Sequence, residues 1–247
     1  MDIESDKIYL FLHNLRQKII TIFIFIFLAS FLCYFFRDSI WNLAKSPYLK
    51  IKPGQILIFI TPVEAFYINL KISVFGGIFL TVPFIFYHIF SLLPVKAENT
   101  VRSVLFISLA SFLLFAAGIV FSYNIVIPQA LKFFLQFENE SLSAQWTASG
   151  YLSFFLWTLF SFGLIFELPL IIYFLTKFNI VHPDVLRKNR SYAILIVFIT
   201  AGLLTPGPDI MSQILLALPM IILYETGIWF SYLPRQKIPN VHMTEKF

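Results

Sequence analysis

The sequence predicts an all-α integral membrane protein with six transmembrane helices, both termini on the cytoplasmic side and a short final helical hairpin. Three observations predict it. Of 247 residues, 59% are hydrophobic and 13% charged, and the mean hydropathy is +0.83, well above that of a soluble domain built on one core. Apolar runs of helical length recur along the chain, close to the ~20 residues that cross a bilayer core of roughly 30 Å. The alternating pattern of a membrane barrel is absent, which leaves helices as the way to satisfy every backbone group in lipid.

The first run, residues 19–36, follows charged residues but exceeds a signal-peptide core and lacks a small-x-small cleavage site, so it reads as a retained span. Ahead of it, "IYLFLHNLRQKII" sets Ile8, Phe11, Leu12, Leu15 and Ile19 on one stripe. That pattern fits an interfacial helix and equally fits a basic flank that only orients the protein. Residues 1–18 are therefore set apart from a membrane domain over 19–232 and a cytoplasmic tail over 233–247. The next runs are 66–90, 104–123 and 151–176. The fifth, 192–204, reaches only about 20 Å at 1.5 Å per residue, so with the sixth, 210–232, it should form a shallow hairpin.

Charge sets the orientation. With six spans, twelve Lys and Arg residues fall on the side of the termini and five on the other, which places both termini in the cytoplasm. The segments 37–63 and 124–150 then lie outside, carrying prolines between aromatic residues. They are too apolar for disordered linkers and should pack as a cap. No internal repeat suggests an inverted-repeat transporter.

A carboxylate in the membrane costs at least ~2.5 kcal/mol unless it faces protein, water or a partner. Glu167, in "SFGLIFELPLIIYF", is therefore the first candidate functional residue, against the alternative of a buried strut bonded to a neighbouring helix. Pro169 has no amide hydrogen and should free carbonyls near Ile165, which makes a kink and a wet cavity the expectation there. Lys71 should snorkel outward along its alkyl stem, and Glu64 should cap the helix that follows it. The single cysteine, Cys33, reads as a packing residue. The four histidines lack metal-ligand spacing, no phosphate loop or nucleophile elbow is present, and nucleic-acid binding is a poor reading of the charge pattern. An enzyme is not expected, and no cofactor or metal is implied.

Read in order, several stretches resemble the TatC family, the multi-spanning subunit of the twin-arginine protein translocase. They are "SPYL", "VPFIFYHIF", "GIVFSYNIVIP", "YLSF" with "FGLIFELPL", "LRKNRSY" and "LLTPGPDIMSQILLALPMIILYE". The resemblance implies a concave six-helix scaffold in a bacterial inner membrane, or in a plastid thylakoid or mitochondrial inner membrane. It implies a receptor for twin-arginine signal peptides of folded cargo, working with TatA- and TatB-type single-span partners within a larger, homo-oligomeric complex. Transport would be driven by the proton-motive force.

Carried over residue by residue, the family's intramembrane glutamate falls on Glu167, a polar position of the sixth span on Gln213, and the turn before that span on Pro206 and Asp209. Two departures stand out. Asn14 occupies the place of a glutamate before Leu15 and Arg16, and in the shortened first cytoplasmic loop Glu98 is the acid available. A guanidinium forks onto a carboxylate but gains only a neutral hydrogen bond from Asn, so Glu98 should carry most of the recognition, with Asp2, Glu4 and Asp6 adding diffuse attraction. The competing function is a proton-coupled small-solute transporter with Glu167 as relay; an intramembrane acid hydrolase lacks a second acid, a nucleophile or a metal.

Overall fold

The structure, a computed structural model, describes residues 2–90, 100–136, 146–177, 180–204 and 210–232. These are almost entirely helical. The elements are α1 (Asp2–Phe35), α2 (Arg37–Ile51), α3 (Glu64–Phe90) and α4 (Thr100–Phe121), then a π-helical turn (Ser122–Val126) and α5 (Ile127–Leu135). They continue with α6 (Ala148–Phe166), α7 (Leu168–Lys177), α8 (Pro183–Lys188), α9 (Arg190–Leu204) and α10 (Ile210–Ser231). Four helical stretches are long and apolar enough to cross a bilayer: Leu12–Phe35, Glu64–Ile89, Leu105–Leu135 and Ala148–Lys177. The shorter apolar helices Arg190–Leu203 and Leu216–Ser231 fall where the fifth and sixth runs are expected.

Two boundaries differ from expectation. The N-terminal segment and the first apolar run are one helix, α1, because no residue between them breaks the backbone pattern. The third span does not stop at 123 but continues helical to Leu135. Pro128 cannot donate to the carbonyl of Asn124; just before it the backbone widens into a π turn over Ser122–Val126, with Ile127 N donating to Ser122 O, and the helix continues. Burial of Ile127 and Leu131 holds the continuation in place.

The chain divides into two compact units, Met1–Phe166 and Glu167–Phe247. In the first, α1 packs along α3, and α4 against α3 and α6. Lipid is as apolar as a leucine, so helices in a membrane associate by close fit and hydrogen bonds rather than by escape from water. The glycines show that fit. A Cβ on Gly118 would stand 2.5 Å from the Phe162 carbonyl, and one on Gly76 2.9 Å from Cys33 Sγ. The other side of α1 is open, with Phe23 67% and Phe27 73% exposed, as a lipid-facing helix requires.

The expected cap exists in the first unit. Its core joins Ala44 and Tyr48 of α2, Ile68 and Ile72 of α3, Ile127 and Leu131 of α5, and Tyr151 and Leu152 of α6. Pro47 inside α2 has no amide hydrogen for the Leu43 carbonyl, and the hydroxyl of Tyr123 donates to that carbonyl at 3.2 Å. The strand-like stretch after α2 reaches the start of α6: Ile58 and Thr147 form an isolated parallel bridge, with Ile58 N donating to Trp146 O at 3.2 Å and Ala148 N to Ile58 O at 2.9 Å.

In the second unit α10 packs on α7 and α9. Gly227 makes the first contact possible, since a Cβ there would lie 2.8 Å from Ile172 and 3.0 Å from the backbone of Pro169.

Candidate functional site

Glu167 interrupts the longest apolar stretch of the carboxyl-terminal half. α6 ends at Phe166 and α7 begins at Leu168. Pro169 removes the bond to the carbonyl of Ile165, and the ladder resumes when Ile171 N donates to Glu167 O at 2.9 Å. Both residues are buried, and Glu167 is only 1% exposed. The break expected from Pro169 is therefore present, and the carboxyl beside it is buried rather than open to bulk solvent. Within its own unit Gly227 of α10 approaches the backbone of Pro169, from which an added Cβ would stand 3.0 Å.

Gln213 sits near the start of α10 and donates through Nε2 to the carbonyl of Phe198 on α9 at 2.8 Å. Gly202 lets it in, because a Cβ there would stand 3.0 Å from the same nitrogen. An amide bonded across a helix pair gives its N–H a partner that lipid could not, so Gln213 clasps the final hairpin. At the other end of the unit Arg190 Nη2 lies 2.7 Å from Glu225 Oε2, and the Tyr224 hydroxyl donates to Leu186 O at 2.9 Å. Tyr232 donates to Asp184 Oδ1 at 3.0 Å. These bonds tie α8 and the start of α9 to the end of α10.

Asn14 and Arg16 are exposed on α1. Beside them Gln17 Nε2 and His13 Nε2 lie 3.0 Å apart, one helical turn separating the two residues. The helix thus presents Asn14 and Arg16 to the surroundings. Glu98, Pro206 and Asp209 lie outside the described residues. The structure brings Glu167 and Pro169 together on one break and sets Gln213 on the hairpin of the same unit.

Lys71 corrects an expectation. Instead of snorkelling to water, its ammonium donates to Ser149 Oγ at 3.1 Å and to Ser153 Oγ at 2.7 Å. The two serines are four residues apart and so share one face of α6. That i, i+4 spacing next to "YLSF" was the available signal, and only the packing of α3 on α6 shows that a lysine meets it. Arg190 with Glu225 was likewise missed, although both lie in stretches singled out by motif. No group of three or more His, Cys, Asp or Glu residues that could hold a metal occurs among the described residues.

With this geometry, comparison with known proteins is informative. The sequence model of the family described as Sec-independent protein translocase protein (TatC) matches residues 10–219. The Sec-independent protein translocase protein TatC of Carboxydothermus hydrogenoformans is 40% identical over 235 residues, covering 92% of this chain and 94% of that protein. The protein of the same name from Escherichia coli K12 is 32% identical, covering 92% and 89%. A crystal structure described as the twin arginine translocase receptor TatC superposes with a TM-score of 0.75 at 32% identity, covering 90% of this chain and 98% of that one. A second, in DDM, gives 0.78 at 32% identity, covering 90% and 100%.

Proposed function

This chain belongs to the TatC family of Sec-independent protein translocase proteins, and from that premise we propose that it is the receptor subunit of a twin-arginine translocase. In this reading it binds the signal peptides of folded cargo on the cytoplasmic side of a bacterial inner membrane. It then passes the cargo on with TatA- and TatB-type single-span partners, and the proton-motive force drives transport.

The observation that carries the reading is Glu167: a carboxyl only 1% exposed, set at a helix break in an apolar stretch. Such a residue is costly in a membrane and is retained where a polar point is needed. We assign it to the path of the signal peptide's hydrophobic segment, with Gln213 as the second polar position. Arginine recognition falls to Glu98, because a carboxylate accepts both prongs of a guanidinium while Asn14 offers one neutral acceptor. Arg16, two residues after Asn14, belongs to the same signal-peptide-binding region.

Site-specific crosslinking from positions 14 and 98 to a twin-arginine peptide tests the assignment. Adducts that depend on both arginines of the peptide are expected, and Asn14→Glu should strengthen them by restoring a second carboxylate. No peptide-dependent adduct at any cytoplasmic position overturns the receptor reading. Proton-coupled solute uptake by the purified protein in liposomes would install the transporter in its place.

A further inference from the structure

We propose that Lys71, Ser149 and Ser153 form a binding site for the phosphate of a membrane phospholipid. The donor count points to it. An ammonium has three N–H donors and each serine one O–H, five in all. Three are used within the cluster: Lys71 donates to both serine oxygens, and Ser153 Oγ donates to Ser149 O at 2.8 Å. One N–H of Lys71 and the hydroxyl of Ser149 are left over. Among the described residues no carboxylate lies within salt-bridge distance of Lys71. The cluster is half-buried, centres on an ammonium and has donors beyond those used within it among the described residues, which is the complement of an anionic oxygen.

Depth and surroundings name the anion. α3 has 27 residues and so is about 40 Å long, roughly 10 Å more than the hydrocarbon core. Lys71 lies seven residues after Glu64, the first residue of α3, or about 10 Å along the axis; Ser149 is the second residue of α6. With the excess shared between its two ends, α3 overhangs the core by about 5 Å on each side, so the Lys71 backbone lies about 5 Å inside the hydrocarbon and its alkyl stem can carry the ammonium to the boundary between headgroups and acyl chains. One turn before Lys71 stands Tyr67, 53% exposed, and one turn after Ser153 stands Trp157, 59% exposed. Tyr67, on the headgroup side of Lys71, fits that boundary, where exposed Tyr is enriched. The site therefore opens toward lipid, beside the α2 cap, at the level where phosphodiesters lie. The positive end of α6 adds to the attraction.

Native mass spectrometry of the full-length protein in detergent, titrated with dioleoylphosphatidylglycerol, tests the proposal. One retained lipid is expected for the wild type and for Lys71→Arg. Lys71→Gln should bind it about tenfold more weakly, the loss of one charge-assisted bond. Dioleoylglycerol, which lacks phosphate, should not compete. The double variant Ser149→Ala with Ser153→Ala should also weaken retention, and it carries the test if Lys71→Gln cannot be purified. Equal retention by wild type and both variants overturns the site. Displacement of the lipid by millimolar inorganic phosphate overturns the lipid assignment in favour of a free anion. Neither result bears on signal-peptide crosslinking, so this site and the receptor reading stand or fall apart.

Discussion

The hydroxyl of Tyr151 donates a 2.6 Å hydrogen bond to the carbonyl of Ala44, and both residues are buried. The bond joins the start of α6 to the cap helix α2, a sequence separation of 107 residues. Tyr151→Phe keeps the ring against Tyr48 and Trp146 but leaves that carbonyl without this donor. A loss of about 1–3 kcal/mol is expected, read as a lower unfolding midpoint in detergent at unchanged helix content. An unchanged midpoint would mean the cap is held by packing alone.

Gly118 tests the close fit of α4 on α6. Its missing Cβ would stand 2.5 Å from a backbone carbonyl and 3.0 Å from Gly163 Cα, neither of which can rotate away. Gly118→Ala should destabilise by ~1–3 kcal/mol, whereas alanine at Gly54, which meets no atom within 4 Å, is opposed only by its φ of +86°. If Gly118→Ala melts with the wild type, α4 and α6 are not packed as described.

The Arg190–Glu225 pair is short, at 2.7 Å, yet the side chains are 43% and 41% exposed. Solvent screening at that exposure leaves such a pair ~0–1 kcal/mol. Glu225→Gln should thus shift the unfolding midpoint little and lose what difference there is in high salt. A drop of several kcal/mol would show a desolvated pair that holds α9 to α10.

Glu167 separates function from support. Glu167→Ala should insert, accumulate and keep its helix content while transport of a folded twin-arginine reporter falls severalfold, and Glu167→Gln should recover part of it. The assay is reporter export in a strain lacking its own TatC, normalised to membrane levels. Failure of Glu167→Ala to accumulate, with Glu167→Gln fully active, would make this residue a structural strut.

Part of the candidate site was legible because membrane chemistry makes exceptions conspicuous: one acid and one proline stand out inside the apolar "FGLIFELPL", and both fall on one helix break. What the residues next to them touch was not legible. Lys71 illustrates the difference. Its stem length alone permits snorkelling, and only the meeting of α3 with α6 gives its ammonium two hydroxyls. Pro128 is a second case: it falls in a segment expected to lie beyond the third span, yet the helix continues through a π turn to Leu135 with Ile127 and Leu131 buried.

By itself the sequence determined the all-helical class, the number and order of apolar runs, the shortness of the fifth and the break near Pro169. These follow from periodicity, length against bilayer thickness and the missing proline N–H, all local quantities. Tertiary structure alone decided that the two expected cap segments meet through Ile58 and Thr147, and that Gln213 clasps Phe198. Pairings between residues far apart in the chain depend on helix contacts set by small-residue fit and by unsatisfied carbonyls, and neither is written in the local pattern.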